Sequence, residues 1–114
     1  MQTIERLLTY PEITTGEAER LRGRAADIIE GNLEQFTDAF QPSNSTNGFY
    51  TPSGNTTWTT GFWTGEIWLA YEKTGSSRLR AAGERQVESF LERIRNKVDV
   101  AQHDMGFLYS PSCV

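Results

Sequence analysis

Residues 58–75 read WTTGFWTGEIWLAYEKTG, and this stretch decides what kind of fold the chain can adopt. The spacing predicts a helix over 61–74 that Gly75 stops, since glycine is the usual residue just past a helix end. Phe62, Trp63, Ile67, Trp68, Leu69, Ala70 and Tyr71 are distributed almost all round that helix. A helix that is apolar on nearly every side must be covered on nearly every side. It is therefore an inner element, and other helices have to surround it.

The flanking sequence supplies them. On the N-terminal side a short leading helix is expected over residues 3–10, ended by Pro11. Thr14 and Glu17 then form a capping-box pattern. Behind it Leu21, Ala25, Ile28, Ile29, Leu33, Phe36 and Phe40 recur at helical spacing, which predicts an amphipathic helix of about 24 residues ending near Pro42. Residues 41–60 are rich in Ser, Asn, Thr, Gly and Pro and read as a long polar loop, a kind more often functional than idle. Beyond Gly75, Ser76 or Ser77 caps a third helix whose stripe is Leu79, Ala82, Val87, Phe90, Leu91, Ile94 and Val98, with an Arg- and Glu-rich opposite face. Outer-type, inner-type and outer-type helices alternate, as two concentric layers require. Pro111 and Ser112 mark a further helix start, with no room left for that helix to form.

At 114 residues the chain has the length of one domain. Its hydrophobic share of 37% is low, and its mean hydropathy of -0.54 agrees. Three Trp, six Phe and four Tyr are nevertheless too many for a chain that never packs. Both facts suit a segment with a real core that expects more partner surface than it carries. The net charge of -4, with both signs mixed along the helices, argues against nucleic acid and anionic membranes as partners. The leading segment has an acid at Glu5 and no apolar run, so neither a signal peptide nor a membrane span is expected. With Cys113 as the single cysteine, no internal disulfide forms and a reducing, cytoplasmic location is the default. The sequons at Asn44 and Asn55 then read as chance matches.

Few residues carry chemistry. Asp104 lies between His103 and the apolar run Met105–Tyr109, and a carboxylate there must be paired, hydrogen-bonded or shifted in pKa. Spacing alone favours a cap on the following turn. His103 is the only histidine, which with one Asp makes no metal site, and it reads as a core or loop-bracing residue. Cys113 reads as a small apolar residue rather than a nucleophile. Trp58, Phe62 and Trp63 straddle the mouth of the inner helix, where flat aromatic rings suit the C–H faces of a sugar. Core packing is the better reading for Trp63 and Trp68, and the two readings are balanced for Trp58. Phosphate loops, dinucleotide fingerprints and paired metal ligands are missing, so no cofactor and no metal are expected.

Two stretches, WTTGFWTGEIWLAYEKTG at 58–75 and HDMGFLYS at 103–110, resemble the unsaturated glucuronyl hydrolases of glycoside hydrolase family 88. The similarity runs through most of residues 16–114. It implies an all-α fold, the N-terminal part of an (α/α)6 barrel of six-hairpin glycosidase type, with residues 1–114 a single partial domain. It also implies release of 4,5-unsaturated glucuronic acid from lyase-generated oligosaccharides. In that chemistry the vinyl ether double bond is hydrated, and the hemiketal collapses to open the ring and expel the remaining sugar. This differs from the usual two-carboxylate attack at an anomeric carbon.

On the resemblance, Asp104 matches the first of two essential aspartates, Trp58 and Phe62 match aromatic residues lining the subsite for the unsaturated sugar, and His103 matches the histidine before that aspartate. Gln102 stands where the family often has a second histidine, which removes any argument from a histidine pair. The second aspartate, the proton donor to the double bond, has no counterpart here. The chain is therefore expected to be the front part of such an enzyme, inactive by itself and prone to self-association through uncovered inner faces. Its ligand would be an unsaturated uronic-acid oligosaccharide. Two other readings stand beside this one: a related hydrolase acting on unsaturated galacturonyl or rhamnogalacturonyl ends, and a non-catalytic helical module that binds carbohydrate or a partner.

Overall fold

A computed structural model describes residues 2–114, so Met1, where the leading segment begins, lies outside the described residues. Among them the chain forms α1 (Gln2–Leu8), α2 (Thr15–Phe36), α3 (Thr60–Thr74), α4 (Ser77–Arg95) and α5 (Met105–Cys113), and no strand. The α3 helix is central: α2, α4 and α5 all pack on it, and α4 also touches α2 and α5. The layers follow the sequence pattern. α2 and α4 are amphipathic, whereas α3 and α5 are apolar all round. This is the alternation of inner and outer helices found in the N-terminal part of an (α/α)6 barrel. None of the described helices is long and apolar enough to cross a membrane.

The start of α2 is the expected capping box. Thr14 Oγ1 accepts from the Glu17 amide at 3.1 Å, and the Glu17 carboxylate accepts from the Thr14 amide at 3.0 Å. Its end is not where Pro42 suggested. The helix stops at Phe36, because side chains from the neighbouring helices take over its last carbonyls. Trp63 Nε1 donates to the Phe36 carbonyl at 2.8 Å, and Gln86 Nε2 donates to the same carbonyl at 2.7 Å and to those of Thr37 and Ala39 at 3.3 Å. Gln86 in turn accepts from Thr64 Oγ1 at 2.6 Å, so a buried polar cluster fixes the α2–α3–α4 junction. Tertiary partners that satisfy a helix end decide its position better than a distant proline does.

The buried faces are those expected only in part: Leu33 and Phe36 of α2 and Leu79, Ala82 and Phe90 of α4 are buried as the pattern predicts. Ala26, Leu33 and Phe36 are the buried residues of α2, while Leu21, Ala25 and Ile28 are exposed. In α4 the buried set is Leu79, Ala82, Gly83, Gln86, Phe90 and Arg93, with Leu91 and Ile94 exposed. Ser76 does occupy the N-cap position of α4, but its hydroxyl donates to Glu30 on α2 at 2.6 Å instead of capping its own helix. Phe40 is buried as expected, though from the loop: it exchanges backbone hydrogen bonds with Ser53 at 2.8 and 2.9 Å. That loop is a small ribbon. Thr46 and Phe49 pair across Asn47 (φ 52°) and Gly48 (φ 80°), an Asn-Gly tip of the kind that closes tight hairpins.

The last helix corrects the sequence reading outright. It begins at Met105, not at Pro111, and carries Pro111 within it. Its seat is made by small residues of α3. A Cβ on Gly61 would collide with the Leu108 carbonyl, sit 2.5 Å from the Phe107 carbonyl and 2.7 Å from Leu108 Cα. A Cβ on Gly65 would come within 2.9 Å of the Pro111 ring. Gly61 and Gly65, one turn apart, thus let the α5 backbone lie directly on α3. Trp68 Nε1 closes the contact by donating to the Ser112 carbonyl at 2.9 Å. The first turn of α5 is thereby delivered beside the first turn of α3, and the candidate site lies there.

Candidate active site

Three rings meet at that junction. The Trp58 and Phe62 centroids are 6.2 Å apart with the rings nearly perpendicular, Phe107 lies 5.7 Å from Phe62 and 6.4 Å from Trp58, and all three keep solvent contact. Trp58 is 43% exposed and Phe62 41%, whereas Trp63, one residue along from Phe62, is 5% exposed. The balance left open for Trp58 resolves towards an open surface. Trp63 and Trp68 have structural roles, each with its indole N–H given to a backbone carbonyl. Phe107 was not singled out from sequence. Its signal was present, since a helix starting at Met105 turns residue 107 back towards the loop that precedes it.

Asp104 occupies the N-cap position of α5, and its carbonyl accepts from the Phe107 amide at 3.0 Å. Its carboxylate makes no capping bond, so the expected cap is only half right: the position is a cap and the side chain is not used as one. Instead Oδ2 lies 3.3 Å from His103 Nε2. The carboxylate is 22% exposed and the imidazole 92%, so His103 is not a core residue and its contact within the loop is with Asp104. Phe62, His103, Gly106, Phe107, Ser110 and Pro111 line an open cleft of about 690 Å3. Asp104 does not form its wall directly; it stands next to His103 at its edge.

On the other flank of Phe62 lies a smaller cleft of about 250 Å3, lined by Gln41, Tyr50, Thr59 and Glu66 among others. Although Glu66 keeps substantial exposed surface, the protein packed round its carboxyl raises its pKa above the usual carboxylate value by desolvation. Cys113 departs from expectation: it is exposed at the end of α5, its sulfur 3.1 Å from the Ser112 hydroxyl.

No family model matches the chain. Individual relatives do. It is 38% identical over 110 residues to an unsaturated chondroitin disaccharide hydrolase of Streptococcus pneumoniae, covering 96% of this chain and 28% of that protein. It is 42% identical over 90 residues to the unsaturated glucuronyl hydrolase of Bacillus sp. strain GL1, covering 79% of this chain and 24% of that one. The chain is homologous to the unsaturated glucuronyl hydrolases. The crystal structure of the unsaturated glucuronyl hydrolase from Streptococcus agalactiae superposes with a TM-score of 0.87 at 38% identity, over 96% of this chain and 28% of that structure. A variant of the same streptococcal glucuronyl hydrolase, solved in complex with dGlcA-GalNAc6S, superposes with a TM-score of 0.83 at 36% identity. The chain thus spans little more than a quarter of the length of these hydrolases.

Proposed function

We propose that residues 1–114 form the N-terminal portion, a partial domain, of a glycoside hydrolase that releases 4,5-unsaturated glucuronic acid from lyase-generated oligosaccharides. The observation that carries this reading is the open aromatic wall of Trp58, Phe62 and Phe107 set beside His103 and Asp104. Stacked rings offer a flat apolar face to the unsaturated sugar, whose C4–C5 double bond flattens that end of the ring. Asp104 is the carboxylate of the reaction supplied by this chain, and His103 a substrate contact at the cleft edge. Hydration adds a proton to one alkene carbon and hydroxide from water to the other. The product is a hemiketal, which opens and expels the rest of the sugar. Holding a proton near neutral pH takes a second carboxyl group or a desolvated one, and Glu66 lines the separate cleft on the other flank of Phe62, so this reading takes the partner of Asp104 from the rest of the protein. The isolated chain is therefore inactive. Membership of glycoside hydrolase family 88, a place in glycosaminoglycan degradation and a cytoplasmic location belong to the same reading.

The test is a graft. Residues 1–114 replace the matching stretch of the Streptococcus agalactiae relative, and the hybrid is given dGlcA-GalNAc6S. Disappearance of the ultraviolet absorbance of the conjugated double bond, with none from the isolated chain, is the expected outcome. The exposure of Trp58 and Phe62 also suits a binding module. That second reading predicts calorimetric binding of the disaccharide by the isolated chain and a folded, helical graft that never consumes the double bond.

A further inference from the structure

The aromatic wall and the Asp104 loop come from two segments that are far apart in sequence, residues 55–60 and 96–104, and one side chain holds both. Arg93, in the last turn of α4, is 3% exposed although the stripe pattern puts it on the Arg- and Glu-rich face of that helix. Its Nη1 faces the wall segment: the Asn55 side-chain oxygen is 3.1 Å away, the Thr57 carbonyl 2.8 Å and the Thr60 hydroxyl 3.2 Å. Its Nε donates to the Val98 carbonyl at 3.1 Å, and Nη2 lies 3.5 Å from the Asp99 carbonyl and 3.6 Å from the Asp99 carboxylate. One planar fork therefore spans two loops.

Each grip continues towards the site. Thr57 is the residue before Trp58, and Asn55 is itself fixed by Thr60 Oγ1 at 2.6 Å and by Ser89 on α4 at 3.3 Å. On the other side the Asp99 carboxylate accepts from Gln102 Nε2 at 2.6 Å, and Gln102 immediately precedes His103 and Asp104. The backbone between is unusual: Lys97 (φ 54°) and Asp99 (φ 45°) are both left-handed without being glycine. Such residues persist only where the surroundings hold them there.

We infer that Arg93 is a positioning residue that sets Trp58 and Asp104 at a fixed separation by binding both of their loops at once. The role in catalysis rests on the proposed function, whereas the coupling itself is a property of this chain and is tested without turnover.

The chain is labelled with 5-fluorotryptophan, whose three signals are assigned by single Trp→Phe variants, and R93M and R93K are compared with wild type. Trp63 and Trp68 serve as internal controls, because their indoles are held by Phe36 and Ser112 and not by Arg93. In R93M the Trp58 signal is expected to shift and broaden while the other two stay in place. Amide exchange is expected to rise at least about tenfold in both 55–60 and 98–104 and to stay unchanged in the middle of α3. R93K, which keeps the charge but not the fork, is expected to loosen both loops to a lesser degree. An unmoved Trp58 signal, movement of all three signals together, or loosening of only one loop would overturn the proposal. Should R93M fail to fold, R93K decides by the same criteria.

Discussion

Trp58 and Trp63 are five residues apart, both near the start of α3, and they belong to different kinds of surface. Trp63 is enclosed by the α2–α3–α4 junction, its ring edge-on to Phe36 and its indole N–H bonded to the Phe36 carbonyl. Trp58 lies on the rim with Phe62 and Phe107, and its indole N–H has no protein partner among the described residues. The junction is closed to water and its polar groups are matched inside the fold. The rim keeps aromatic area in the open, next to a carboxylate that caps nothing. The difference teaches that an apolar residue inside a helical motif is explained by packing only when its polar atoms are also satisfied there.

The strongest way to break this contrast is to truncate both rings. Trp63→Ala is expected to cost about 4 kcal/mol, the loss typical of a buried aromatic, read by urea unfolding followed by circular dichroism. Trp58→Ala is expected to cost under about 1 kcal/mol, as exposed substitutions do. Equal losses would place both rings in one core. Next in size is Gly61→Ala, which forces its methyl into the Phe107 and Leu108 backbone and is expected to cost about 3 kcal/mol. Gly106→Ala is the control, since nothing lies within 4 Å of its added carbon, and it should be neutral or slightly stabilising. Parity between those two glycines would mean that α5 is not seated on α3 as described.

The smallest effect concerns Glu66. Desolvation raises its pKa in the folded chain, so the folded state disfavours the charged form and the penalty grows as pH rises through the folded value. Glu66→Gln should therefore stabilise the chain at neutral pH, and the gain should vanish below the ordinary carboxylate pKa. A gain that persisted unchanged in acid would assign the effect to something other than charge.

Much of the fold was legible because it is local. The capping box at Thr14, the stop at Gly75 and the alternation of amphipathic and all-round apolar helices are short-range patterns, and they appear where the sequence put them. Several of the errors share one physical cause. Gln86 and Arg93 are polar residues buried against partners as far as 50 and 38 positions away, which no helical period reveals. With them inside, Leu91 and Ile94 of the expected α4 stripe are left exposed, and Gln86 helps to end α2 early. The start of α5 was misplaced because it is set by the close approach to Gly61 rather than by a local start signal such as Pro111. At the site, Trp58, Phe62, His103 and Asp104 lie around the starts of α3 and α5. Phe107 completes the wall only once the start of α5 is known.

We propose that Asp104 takes part in the reaction and is not merely a helix cap beside an aromatic wall. The direct measurement is the turnover of dGlcA-GalNAc6S by the grafted enzyme carrying Asp104→Asn, an isosteric change that keeps the N-cap position and removes the charge. The expected result is a kcat lower by about 10³-fold with KM nearly unchanged, the loss typical of a group that acts in the transition state and not in substrate binding. A variant that retains kcat within tenfold of the unsubstituted graft would contradict the account.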